Sequence, residues 1–161
     1  MRNYYAYFNS LDCVSYRVDI IADTSTTEGT EIFLAGDNPF VVQYNTSDTP
    51  FAPVRNSTAE INIVWDDYLL DAISPEPMGT QVILTNQDTG EIEWKGFLNP
   101  TSISNQGYEH CYETITLDCS DAVSQLQYLN YEILGTSKAI VNVKDIIANI
   151  ITRTKIMSGF Y

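Results

Sequence analysis

Histidine is nearly absent from this chain. His110 is the only one in 161 residues. Most acid–base chemistry near neutral pH uses histidine, so its scarcity argues against an enzyme. Cations are scarce as well, with 8 Lys+Arg against 21 Asp+Glu and a formal net charge of −13. That balance excludes broad binding to a phosphate backbone. It also disfavours adsorption to an anionic membrane. Cysteine is limited to Cys13, Cys111 and Cys119. An odd number is no disulfide framework. Cys111 and Cys119 fall at opposite ends of one extended segment, too far apart to bridge. Buried thiols in a reducing compartment are the expectation. No apolar run approaches the ~18 residues of a membrane span. The opening Met1-Arg2-Asn3-Tyr4-Tyr5 has no signal-peptide core. The expectation is a soluble chain without a membrane span, which reaches any extracellular destination by a route other than signal-peptide secretion.

Chemical constellations are missing too. His110 sits beside Cys111, but neighbours on a strand point to opposite faces and make a poor nucleophile–base pair. Cys13, His110, Cys111 and Cys119 lack the short paired spacings of zinc ligands. Asp66, Asp67 and Asp71 form the densest acidic group, without the glycine and spacing of a calcium loop. Glu91 with Glu93, and Asp66 with Glu60, are the carboxylate pairs that a glycosidase reading would use. Gly29, Gly36, Gly79 and Gly90 are isolated, so no phosphate loop is present. The expectation is no catalytic residue, no metal and no cofactor.

What the chain does have is apolar and aromatic content. The hydrophobic fraction is 44%, with eleven Tyr, six Phe and two Trp. Tyr4, Tyr5, Tyr7 and Phe8 open the chain, and Tyr108, Tyr112, Tyr128 and Tyr131 cluster later. These residues fit a strand core and equally fit interface anchors. Alternation of period two dominates the first 120 or so residues. Tyr16, Val18 and Ile20 alternate with Arg17 and Asp19. A loop is predicted over 23–30, then short strands over 31–35 and 40–44, parted by Gly36-Asp37-Asn38-Pro39. Ala59, Ile61, Ile63 and Trp65 share one strand face. A helical turn is predicted over 66–73, ended by Ser74-Pro75-Glu76-Pro77. The plainest hairpin joins 81–85 to 91–98 through Asn86-Gln87-Asp88-Thr89-Gly90. Its second strand places Ile92 with Trp94, opposite Glu93 and Lys95. Gly96 beside Trp94 points to a bulge or a close backbone approach. A last strand over 112–119 puts Ile115, Leu117 and Cys119 on one face.

The period then changes. Ser120 suits an N-cap and Asp121 a first turn, with a helix over 121–129. Asn142 suits a second N-cap, with Asp145 three residues on. Ile146, Ile147, Ile150 and Ile151 then form an apolar stripe from 143 to about 155. This stripe, with Phe160 and Tyr161, is the candidate interface; it covers either the β body or another chain. The predicted organisation is a β-rich domain over 1–135 and an amphipathic helical extension over 136–161. The predicted class is mainly β (α+β), an antiparallel β-barrel or sandwich with one or two C-terminal helices. Charge divides at the same place. Up to Gly135 four cations face twenty acids, a net of −16, and the remainder carries +3. An acidic body with a basic tail suits head-to-tail contacts between copies, or simply a solvated surface with a basic helix end.

Three stretches in order carry a resemblance. They are Phe51-Ala52-Pro53-Val54-Arg55-Asn56-Ser57-Thr58-Ala59, then Trp94-Lys95-Gly96-Phe97-Leu98-Asn99-Pro100, then Ile115 through Leu126. Together they resemble the N-terminal part of tail hub or baseplate hub proteins of tailed bacteriophages, with the crAss-like and other Bacteroidetes phages nearest. The resemblance implies hub domains in a ring, threefold or sixfold, around the tail channel. It implies contacts with other tail proteins, no catalytic residue, and residence in the virion tail after assembly in the host cytoplasm. An acidic channel lining would let DNA pass without adhering. Two other readings fit the residues: a soluble β-rich module recognising a carbohydrate or receptor, and a carboxylate-dependent glycan hydrolase.

Overall fold

The computed structural model describes residues 3–22, 25–26, 28–36, 38–44, 56–64, 74–76, 78–99, 114–124, 144–145 and 148. Eight strands form one sheet: β1 (Asn3–Asn9), β2 (Ser15–Ile21), β3 (Gly29–Glu31), β4 (Phe40–Tyr44), β5 (Ser57–Val64), β6 (Gln81–Asn86), β7 (Ile92–Leu98) and β8 (Thr114–Asp121). Their order is β3-β1-β2-β6-β7-β8-β5-β4. The protein is mainly β, as the alternation predicts. All pairs are antiparallel except β1 with β3, so the sheet is mixed.

Alternation explains the core. Val18 and Ile20, Ala59, Ile61 and Ile63, Val82 and Leu84, and Ile115, Leu117 and Cys119 are all buried on one face. Paired positions in the ladders place them together, as Val18 opposite Leu84 and Ile61 opposite Leu117. Trp94 and Leu98 close the cluster from β7. Burying a side chain of this size stabilises the fold by about 1.5–3 kcal/mol.

The turn between β6 and β7 is built as its sequence predicts. Gly90 has φ of 75°. Asn86 Oδ1 accepts from the N–H groups of Asp88 and Thr89, at 3.0 and 3.2 Å.

Four details differ from the sequence pattern. First, β3 starts inside the predicted loop, and the predicted strand over 31–35 reduces to the end of β3 and a lone bridge from Leu34 to Ile63. The edge of β1 recruits Gly29–Glu31, a long-range pairing that no local pattern records. Second, the ladder slips between Leu84 and Thr85, pairing Leu84 with Trp94 and Thr85 with Ile92. This bulge turns Ile92 away from the face of Trp94 and leaves it exposed. Third, β8 runs on to Asp121, so Ser120 is a strand residue and not an N-cap. Asp121 caps the following turn instead, accepting from Ser124 N–H at 2.8 Å. Fourth, the chain before β2 is a full strand. Tyr4 and Ala6 are buried while Tyr7 is exposed, so the aromatic opening serves core and surface at once.

Lys144, Asp145 and Ala148 are helical and exposed. The rest of the predicted extension, the helix over 125–129, Trp65, and the predicted turn over 66–73 lie outside the described residues.

Candidate interaction surface

The described parts of the three stretches that carry the resemblance meet in one row across the sheet. Gly96 on β7 pairs with Asp121 on β8, and Ser57 on β5 immediately precedes Thr58, which pairs with Ser120. Trp94 lies over Gly96 and donates from Nε1 to Ser57 Oγ at 3.0 Å. Ser57 in turn donates to Asp121 Oδ2, from N–H at 2.5 Å and from Oγ at 3.1 Å. The other carboxylate oxygen, Oδ1, accepts from both N–H and Oγ of Ser124 at 2.8 Å. On the opposite face Ser120 Oγ donates to Asn99 Oδ1 at 2.8 Å. Every polar atom of the Asp121 carboxylate is occupied by the frame. The row therefore ties β5, β7 and β8.

The outer face of β1 and β2 carries a different cluster. Tyr5 and Tyr7 meet edge to face at 5.6 Å. The Arg17 guanidinium lies 4.8 Å from the Tyr5 ring and 5.8 Å from the Tyr7 ring. Asp19 Oδ1 accepts from Arg17 Nη2 at 2.6 Å and from Nε at 2.9 Å. Burial alone would lower the Arg17 pKa, but the Asp19 bond and charge raise it overall. Tyr and Arg in such a pairing are the residue types that anchor protein interfaces.

Several large apolar side chains also stand in solvent. Leu11, at the β1–β2 turn, is fully exposed at 103%, and Phe33 and Tyr44 are exposed at 76% and 63%. Nothing in the local sequence singles them out. Their exposure follows from the turn at Leu11 and from the pairing that turns Phe33 outward.

The carboxylates of the hydrolase reading are placed in part. Glu93 accepts from Asn86 Nδ2 at 2.9 Å and from Tyr16 Oη at 3.4 Å. The Tyr16 phenol is raised above its ordinary range, first by desolvation and then by the Glu93 charge. Glu91 precedes β7 and is exposed. Asp66, Asp67 and Asp71 lie outside the described residues, as do His110 and Cys111. So do the six candidate interface residues Ile146, Ile147, Ile150, Ile151, Phe160 and Tyr161. Among the described residues no three His, Cys, Asp or Glu side chains converge on a metal-sized site. Among them also no helix is long and apolar enough to cross a membrane.

The two described cysteines differ sharply. Cys13 is exposed in the β1–β2 turn, whereas Cys119 is buried in the core. Burial, with a smaller contribution from the Asp118 charge, pushes the Cys119 thiol far above its ordinary range. The thiolate is the reactive form. Iodoacetamide is therefore expected to alkylate Cys13 in the folded chain and Cys119 only after denaturation. Peptide mapping checks this, and labelling of Cys119 in native buffer would contradict the buried placement.

No known protein family, curated protein or solved structure matches the chain.

Proposed function

We propose that this chain is a non-catalytic structural module, a tail hub or baseplate hub protein that assembles with copies of itself and with other tail proteins. The observation that carries the reading is the surface. A chain with net charge −13 would be expected to shield its apolar groups, yet Leu11, Phe33, Tyr44 and Tyr7 stand exposed. Scattered exposed side chains are ordinary on a monomer. Here they accompany an Arg17–Tyr5–Tyr7 cluster of interface type. The resemblance of the three stretches supports the assignment to a tail.

A ring follows from a head-to-tail interface whose rotation closes. Sedimentation of the purified chain is expected to give three or six times the monomer mass of 18.1 kDa. A monomer at every concentration up to the solubility limit would count against self-assembly.

A further inference from the structure

The described sheet has an open seam. β1 is paired on both sides only over Tyr4 and Tyr5, with β2 on one side and β3 on the other. Among the described residues, Ala6–Asn9 is paired on the β2 side alone. β4 is paired with β5 along its length and has no second neighbour among the described residues.

Both unpaired edges border the same opening. The Phe8 ring from β1 and the Phe40 ring from β4 lie 6.4 Å apart with planes 14° from parallel. Tyr16 stacks on Phe8 at 5.3 Å, and Trp94 meets Phe40 edge-on at 5.8 Å. The seam thus has an aromatic floor. The core is also least sealed here. Its partly buried hydrophobic residues are Phe8, Tyr16, Ile32, Leu34, Phe40 and Val42. All but Tyr16 lie on β1 or on the segment from Ile32 to Val42.

Backbone direction can be read from the hydrogen bonds. Ile32 N–H donates to the Tyr5 carbonyl on the seam side of β1. Alternation then turns the N–H and C=O groups of Tyr7 and Asn9 to the same side. On β4, Asn62 N–H donates to the Pro39 carbonyl. The same rule turns Val41 and Gln43 toward β5, and Phe40, Val42 and Tyr44 toward the seam.

Proteins blunt an unpaired edge with lysine, proline or a bulge. Neither β1, Asn3–Asn9, nor β4, Phe40–Tyr44, contains a proline or any charged residue. The neighbouring surface is acidic apart from Arg17, whose charge Asp19 already pairs. Glu60 pairs directly with Val41 of β4. At the hairpin end, the charges of Glu93, Asp12 and Asp88 all act on Tyr16 of the floor.

We propose that this seam receives an extended strand from a neighbouring protein chain, apolar at alternate positions and carrying lysine or arginine between them. The strand pairs with the seam-facing groups of Val42 and Tyr44, and across the seam with those of Tyr7 and Asn9. Its apolar residues drop onto Phe8 and Phe40, and its cations face outward over the acidic surroundings. Main-chain bonds supply affinity and alternate side chains supply specificity. The inference rests on the assembly reading and specifies how one partner is held.

Amide hydrogen exchange of the intact chain tests it, followed by NMR. The probe is a capped heptapeptide alternating valine and lysine. The peptide is expected to slow exchange at Tyr7, Asn9, Val42 and Tyr44 by about tenfold or more. The same peptide N-methylated on every amide should give no protection. Absence of protection at saturating peptide would overturn the proposal. Equal protection by an alternating valine–glutamate peptide would overturn the basic-strand assignment. Protection without peptide would overturn it too, showing a second copy if it fades on dilution and the chain's own residues if it persists. None of these failures removes the chain from a virion, so they are distinct from failure of the assembly reading.

Discussion

Replacing Gly96 with alanine is expected to destabilise the protein by about 3 kcal/mol. For a chain of this size that corresponds to a fall of about 6–12 °C in melting temperature. A Cβ at Gly96 would run into Trp94 Cη2 and would lie 2.6 Å from the Ser120 carbonyl oxygen. The first obstacle cannot swing aside, because Trp94 is held by Ser57 Oγ at 3.0 Å. The second is backbone, fixed by the β7–β8 ladder. A companion variant separates the two. In a Trp94→Phe background the six-membered ring of the indole is gone, so G96A should cost clearly less than in the native background. An unchanged cost would place the strain at Ser120 alone.

Asp121→Ala is expected to cost a similar amount, about 3–4 kcal/mol. The carboxylate accepts four hydrogen bonds, two from Ser57 and two from Ser124. Bonds to a charged group contribute about 1.5–3 kcal/mol each, and non-additivity keeps the total below their sum. The loss also strands the Ser57 N–H, since Ser57 is buried. Ser57→Ala should cost a comparable amount, about 2–4 kcal/mol: the main-chain N–H at 57 keeps its acceptor, but a bond to the charged carboxylate is lost and the buried Trp94 Nε1–H is stranded. The double variant should fall short of the sum by about 1 kcal/mol or more, since both changes break the same bond. Urea unfolding of the four proteins measures this. Simple additivity would mean that the row is not one connected unit.

Much of the frame is legible in the residues. β2, β5 and β8 are strands because apolar residues recur at every second position, and Val18, Ile20, Ala59, Ile61, Ile63, Ile115, Leu117 and Cys119 are buried on the predicted faces, while β6 is legible as a short β-branched and apolar run. The β6–β7 turn is legible because Asn86 and Gly90 are the residue types its geometry requires. β1 is harder to read, since Tyr4, Tyr5, Ala6, Tyr7 and Phe8 are all apolar enough to hide a period of two. β3 has only three residues and exists through a parallel pairing with β1. The face of Ile92 depends on a one-residue bulge that no composition rule reveals.

The polar row across the sheet is less legible still, for a physical reason. Ser57, Trp94 and Asp121 are 37 and 64 positions apart along the two bonds that join them. Only the order of the strands makes them neighbours. The seam is likewise a property of topology, the place where β1 and β4 face each other without a ladder. The sequence contributes its uncharged edges and aromatic floor, but not the fact that they meet.

The central claim is that this chain is a structural part of a phage tail. Quantitative mass spectrometry of purified tails, taken from particles of a phage carrying this gene, tests it most directly. The account predicts a copy number of three or six per tail. Absence of the chain from particles, with the protein confined to the infected-cell lysate, would contradict it.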